Sequence, residues 1–98
     1  MKVKFDPEVV ADSARIGLRY RALNAQATLN IRADIRATIY RVASNPLSYA
    51  LIGQEDIRRA VTRVCTYLVY FRIEDDESII VLCVRRGAQR PRFPASGD

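Results

Sequence analysis

The side chains with which this sequence could do chemistry are arginine and tyrosine. Only Lys2 and Lys4 are lysines, so fourteen of the sixteen basic residues are arginines, and histidine is absent. The arginines form two adjacent pairs, Arg58-Arg59 and Arg85-Arg86, with Arg63 and Arg90 nearby in sequence, and the segment Tyr67-Leu-Val-Tyr70 lies between the pairs. A guanidinium grips phosphate or carboxylate with a rigid fork of donors but stays protonated, so it can bind and stabilise charge without acting as a base. RNA cleavage by 2'-hydroxyl attack needs a proton acceptor, a proton donor and cations for the phosphorane charge. Here arginine supplies only the cations. Tyr67, Tyr70 or Glu55 would have to move the protons, while Arg58, Arg59, Arg63, Arg86 and Arg90 could hold phosphate. A nuclease built from these groups is possible but poorly equipped.

Each of these residues also has a plainer reading. Arg58 and Arg59 lie on opposite faces of a regular strand, so at most one meets the core and the other is free to bind. Arg85 and Arg86 would equally well keep an edge strand from aggregating. Arg90 and Arg92 suit a solubilising tail. Tyr67 and Tyr70 again fall on opposite faces, one for the core and one for stacking or binding.

The elements that must position these groups can be read from the rest of the chain. With 98 residues there is room for one core and no second domain. A domain of this size is marginal by itself, so its stability can lean on a partner. The composition, 49% hydrophobic and 28% charged, is that of a folding chain. A net charge of +5 favours an acidic partner such as nucleic acid or an acidic protein, although a bias towards arginine codons would produce it too. No stretch is apolar for long enough to span a membrane, and Met1 to Phe5 lacks a signal-peptide core, which points to a cytoplasmic protein. Two cysteines, Cys65 and Cys83, too far apart for a zinc motif and with no histidine beside them, argue against a metal enzyme, and no cofactor is implied.

Val3 and Phe5 alternate with Lys2 and Lys4, the pattern of a short strand, and Asp6-Pro7 supplies an N-cap and a first helical residue. In the helix that follows, Glu8, Asp12, Arg15 and Arg19 form one polar stripe, and the remaining circumference is expected to be covered. Asn24 caps a second helix whose apolar positions Ile31, Ile35, Ile39 and Val42 run to a stop at Asn45-Pro46. Residues 46–56 have turn chemistry and are read as a loop. Strands are expected over Ile57–Val64, Tyr67–Ile73 and Ser78–Arg86, the last two joined by a turn at Glu74–Glu77. That turn pairs residues whose numbers sum to about 151, setting Cys83 opposite Leu68 and leaving Cys65 out of register for a disulfide. From Gly87 the periodicity is lost. The expected fold is α+β, in the order β-α-α-β-β-β, with a helical hairpin on one face of an antiparallel sheet. Residues 1–90 would form the single domain and 91–98 a flexible tail.

In this order, the Arg58-Arg59 pair, Tyr67-Leu-Val-Tyr70, the Asp75-Asp76 turn and an apolar last strand ending in basic residues resemble the ParE/RelE toxin superfamily over roughly Val3 to Pro91. The resemblance implies the toxin of a type II toxin-antitoxin system, neutralised by a cognate antitoxin whose C-terminal segment wraps the helices and sheet in a heteromeric complex. It implies one of two targets. The RelE-like branch cleaves messenger RNA on the ribosome, and the ParE-like branch poisons DNA gyrase without a recognised catalytic residue. Many relatives carry a histidine after the last strand where Arg86 stands here, a departure that counts against RNase chemistry and favours the ParE-like branch. Arg58, Arg59, Arg85, Arg86 and Arg90 are then the expected target contacts, and Tyr67 and Tyr70 would be catalytic only in an RNase. A family member that has lost residues could also be inactive and merely bind its antitoxin.

Overall fold

The computed structural model describes residues 1–21, 24–53, 55–64 and 66–87. Strand β1 (Lys2–Phe5) leads into helix α1 (Pro7–Arg21), and helix α2 (Ala25–Ser44) follows; a single 3-10 turn (Pro46–Ser48) then precedes strands β2 (Leu51–Ile52), β3 (Ile57–Val61), β4 (Tyr67–Asp75) and β5 (Ser78–Arg86). The five strands form one sheet in the order β1-β5-β4-β3-β2. The β-α-α-β-β-β order is thus borne out, with two differences. The short β2 pairs with β3 inside the stretch read as a loop. The sheet is also mixed, because β1 runs parallel to β5 while the other pairs are antiparallel. The helical hairpin between β1 and the rest of the sheet returns the chain so that β1 takes the outer position beside the last strand.

The helix boundaries follow from local chemistry. The Asp6 carboxylate accepts the Glu8 amide at 2.9 Å, and Asn24 accepts the Ala27 amide at 2.6 Å, each satisfying a donor that a helix start leaves open. Helix α2 ends where Asn45 donates back to the Arg41 and Val42 carbonyls and Pro46 forbids continuation. At the β4–β5 turn the Asp75 carboxylate accepts from the Glu77 amide and the Ser78 hydroxyl, both at 2.8 Å, and these bonds hold its acidity below the usual carboxylate value.

The core lies between the helices and one face of the sheet. Ile16, Ile31, Ile35 and Val42 meet Ala60, Tyr67, Val69, Phe71, Ile79, Val81 and Val84 there. Phe71, Ile79, Val42, Val69 and Val81 are fully buried, each contributing about 1.5–3 kcal/mol relative to an exposed side chain. The other face carries a smaller cluster of Ile57, Tyr70, Leu82 and Cys83. A bulge creates it: Tyr70 pairs with Cys83 but Phe71 pairs with Val81, so Leu82 is an extra residue and both Leu82 and Cys83 join the second face. The register also corrects the expected pairing, since Leu68 lies opposite Arg85 and Cys83 lies opposite Tyr70. Cys83 is a buried free thiol whose ionisation burial pushes up to about 11, so it is an inert core residue. The environment of Cys65 and the tail 91–98 fall outside the described residues.

The β3–β4 connection is tied down from below by α2. The buried carboxylate of Asp34 accepts the backbone amides of Arg63 at 3.2 Å and Val64 at 2.9 Å. Thr62 closes the same connection by bonding Tyr67 through its backbone at 3.0 Å and its hydroxyl at 3.1 Å. Strand β3 consequently stops at Val61 rather than Val64, because Asp34 draws these amides out of the ladder. Replacing Asp34 with Ala is expected to leave two amides without this acceptor and to lower unfolding free energy by about 1–3 kcal/mol in urea titrations. Asp34→Asn, which keeps one acceptor oxygen, should lose less.

Candidate functional site

The polar stripe of α1 is the starting point, because one of its members, Asp12, is buried against the sheet while Arg15 and Arg19 stay exposed. Strand β1 pairs with β5 only as far as Val81, where the Asp6 amide reaches the Val81 carbonyl at 2.9 Å. Beyond that point α1 replaces β1 as the neighbour of β5. Asp12, only 2% exposed, accepts the Val84 amide at 2.7 Å and so satisfies a sheet-edge donor. Its carboxylate also accepts from the guanidiniums of Arg85 and Arg15. Glu8 completes the group, accepting from Arg85 at 2.9 Å and Arg15 at 3.1 Å. Arg15 and then Arg85 hold the Glu8 carboxyl below its usual pKa. Two carboxylates and two guanidiniums thus lock α1 to the end of β5.

Turning Asp12 inward turns Val10 and Leu18 outward, and they are 71% and 67% exposed. The expectation that the rest of α1 is covered therefore fails, for a specific reason: the buried ion-pair network decides the helix rotation against its apolar residues.

Farther along α1 a cleft of about 230 Å³ opens against the sheet, lined by Arg15, Arg19, Tyr67, Arg86, Asp12 and Ile16 among others. Tyr67 and Arg86 are paired across β4 and β5. The Tyr67 hydroxyl donates to the Tyr20 hydroxyl at 3.4 Å, and the Arg19 guanidinium lies 5.7 Å from the centre of the Tyr20 ring. Burial and this bond to Tyr20 push the Tyr67 pKa far above its ordinary value. The Tyr67 donor and Arg19 lower that of Tyr20.

A second concavity, an apolar groove of about 480 Å³, runs between the two helices and β1. Val3, Phe5, Val9, Ile35, Ile39 and Tyr40 line it, with Arg32 and Arg36 among its polar lining. Phe5 and Tyr40 are 54% and 69% exposed, so the groove presents open apolar surface. The Arg32 guanidinium crosses to the Ser13 carbonyl at 3.1 Å and passes so close to Gly17 that a side-chain carbon there would fall 2.9 Å from it.

The candidate residues read from the sequence are not gathered in one place. Arg58 faces the helix side and donates to the Tyr49 carbonyl, where the Tyr49 ring packs edge-on against Phe71. Arg59 lies opposite Tyr70, on the other sheet face, and is exposed. Tyr67 and Tyr70 do occupy opposite faces, but both are buried, at 4% and 3% exposure, so neither is the open stacking surface expected of one of them. Arg85 was expected to contact a target; instead it is 6% exposed and held by Asp12 and Glu8, which makes it part of the framework. Arg86 does reach the cleft. Arg63 and Glu55 are exposed, and Arg90 lies outside the described residues. Two residues lining the cleft that were not among the candidates, Arg15 and Arg19, belong to α1. Their signal was the polar stripe of α1, in which both stand. Among the described residues no group of His, Cys, Asp or Glu could hold a metal ion, and no helix is long and apolar enough to cross a membrane.

A helical hairpin laid on a mixed five-stranded sheet, with a cationic cleft and an apolar groove both built on the hairpin, defines a small arginine-rich α+β domain. Residues 3–91 match the family described as the ParE toxin of the type II toxin-antitoxin system parDE, and the chain belongs to that family. It is therefore a type II toxin of the ParE/RelE superfamily. Among solved structures, the chromosomal ParDE system of P. aeruginosa is similar with a TM-score of 0.75 at 19% identity, over 88% of this chain and 95% of that one. The intact E. coli RelBE complex is similar with a TM-score of 0.61 at 18% identity, over 91% and 98%. The RelBE2 complex of Mycobacterium tuberculosis gives 0.58 at 17% identity, over 87% and 95%. No curated protein sequence matches the chain significantly.

Two outcomes test this geometry. Arg85→Met leaves Asp12 buried with a weakened set of partners and is expected to cost about 3–5 kcal/mol in chemical denaturation, whereas the double variant Asp12→Leu/Arg85→Met should recover part of that loss. In an alkaline titration followed by phenolate absorbance, Tyr20 should ionise before Tyr67, and Tyr67→Phe should raise the Tyr20 pKa by removing the donor. The sign for Tyr67 is opposite. The folded state keeps its proton where the unfolded chain releases it, so stability should fall as pH rises above the ordinary tyrosine range, and Tyr67→Phe should flatten that fall.

Proposed function

We propose that this toxin is of the ParE-like kind, that it inhibits DNA gyrase in the cytoplasm, and that a cognate antitoxin neutralises it. The observation that carries the reading is the burial of Tyr67 and Tyr70, with the Tyr67 proton held by its surroundings. Of the described groups considered for proton transfer on the sheet, these two are buried, at 4% and 3% exposure, while Glu55 is an exposed carboxylate on the β2–β3 connection. What the described surface offers is arginine, suited to binding and electrostatic complementarity rather than acid–base chemistry. The match to a ParE family and the fold likeness to a ParDE system support the same branch. Arg59 and Arg86 are the described target contacts in this reading, with Arg90 beyond them, and Arg58 braces the strand from which Arg59 projects.

The apolar groove suits the antitoxin. An amphipathic segment could place apolar side chains against Phe5, Val9, Ile39 and Tyr40 and acidic ones near Arg32 and Arg36. The solved complexes of ParDE and RelBE supply the precedent for such a partner. A second reading, a RelE-like ribosome-dependent endoribonuclease, is favoured by one observation: Tyr67 and Arg86 share a cationic cleft.

Pulse labelling after induction of the chain alone separates these readings. DNA synthesis should fall before protein synthesis; the reverse order would replace the gyrase reading with the ribosomal one, and undisturbed growth would mark an inactive relative. Phe5→Asp/Tyr40→Asp should leave growth inhibition intact while weakening binding of the antitoxin encoded beside the toxin by at least about tenfold, roughly 1.4 kcal/mol, in calorimetry. Unchanged affinity would move the antitoxin off this groove.

A further inference from the structure

The sheet has two edges, and they end differently. At the far edge β2 runs for two residues, Leu51 and Ile52, before Gly53, with φ 65°, turns the chain away, which leaves no length for a further strand to pair with. At the near edge β1 is four residues long and pairs with β5 on one side alone. The Lys2 amide donates to the Glu77 carbonyl at 2.7 Å and the Asp6 amide to the Val81 carbonyl at 2.9 Å, so the even-numbered residues turn their backbone groups towards β5. Val3 and Phe5 therefore point their N–H and C=O groups outward, and no described residue bonds to them. Their side chains line the apolar groove, and Phe5 is 54% exposed. Charged side chains commonly guard such an edge. Here Lys4 is tied to Glu74 at 2.5 Å, a carboxylate that reaches across β5 from β4, so its charge is balanced.

We propose that β1 is a self-pairing edge, through which two copies of this chain join their sheets in antiparallel register about a two-fold axis at Lys4. Such a contact requires a surface complementary to itself. With Lys4 opposite Lys4 of the second copy, Val3 lies opposite Phe5 of the second copy, and each such pair exchanges both of its hydrogen bonds, which uses all the outward groups of both strands. On the helix side the β-branched Val3 meets the Phe5 ring of the second copy, a favourable cross-strand pair. On the other side Lys2 falls opposite Asp6 of the second copy, an opposite-charge pair, and the two lysines at the axis are accompanied by the two Glu74 carboxylates, so the centre carries no net charge. Because β2 blunts the other edge, pairing stops at the dimer and does not run on into a fibre. Phe5 also belongs to the groove assigned above to the antitoxin, so the two partners compete for it. The dimer rests on the strand edge alone and stands whatever the cellular target is.

The test is sedimentation velocity of the purified full-length chain, without antitoxin, from micromolar to millimolar concentration. A monomer–dimer equilibrium is expected. Phe5→Lys, which places a charge in the apolar contact, should weaken it by at least about tenfold. Glu74→Gln leaves the two lysines at the axis unbalanced, so it should weaken the dimer at low salt and regain it as added salt screens the repulsion. Lys4→Gln/Glu74→Gln removes both charges and should restore association at low salt. Thermal midpoints confirm that each variant is folded. In hydrogen exchange followed by nuclear magnetic resonance, the Val3 and Phe5 amides should slow as concentration rises, while those of Lys2 and Asp6, already bonded to β5, should not change. A chain that stays monomeric at millimolar concentration, a dimer indifferent to Phe5→Lys, or a dimer that leaves the Val3 and Phe5 amides unprotected overturns the proposal. Protection of those amides only when the antitoxin encoded beside the toxin is added assigns the edge to that partner and overturns it equally.

Discussion

One buried carboxylate sets the arrangement of this protein. Asp12 sits at the seam where α1 takes over from β1 along the edge of β5, and there it accepts a backbone amide and two guanidiniums. A charge in that position is tolerable only if it is both paired and hydrogen-bonded, and here it is both. The constraint propagates. Fixing Asp12 against Val84 fixes the rotation of α1, which sends Ile16 into the core, Val10 and Leu18 to the surface, and Arg19 to the cleft. It also commits Arg85 to the framework, while its neighbour Arg86 lines the cleft.

The sheet separates these roles further. On the helix side the side chains are packed into the main core, and the functional features lie at its margins: the apolar groove towards β1 and the cationic cleft towards the far end of β4 and β5. The bulge at Leu82 is needed for this division. Without the extra residue, Val84 would fall on the opposite face and its amide would not meet Asp12, because side-chain direction and backbone hydrogen-bonding direction both alternate along a strand. A one-residue irregularity in β5 therefore supports both the second apolar cluster and the α1 lock.

Much of the fold was legible in the residues. Asp6-Pro7, Asn24 and Asn45-Pro46 mark helix ends through local hydrogen bonding and proline sterics, and alternation from Tyr67 to Arg86 marks a hairpin; such signals act over a few residues and survive in a sequence read alone. The parallel pairing of β1, the extra Leu82 and the inward turn of Asp12 were not legible, because each depends on partners far away in the chain. Asp12 and Arg85 are separated by seventy-three positions. The site suffered for the same reason. Arginine pairs could be seen, but which member of each pair is engaged depends on contacts such as Arg58 with Tyr49 and Arg85 with Asp12. The superfamily resemblance carried the reading past that limit, since residues Val3 to Pro91 were enough to place the chain among the ParE/RelE toxins, and the family match covers residues 3–91.

On the proposed reading, a toxin with surface arginines and with Tyr67 and Tyr70 buried acts by occupying its target rather than by cutting it. The direct test is to add the purified chain to purified DNA gyrase with relaxed plasmid and, in parallel, to a reconstituted translation system programmed with a defined message. The account predicts that supercoiling is inhibited at protein concentrations comparable to gyrase while the message remains intact. Cleavage of the message with supercoiling unaffected would contradict it.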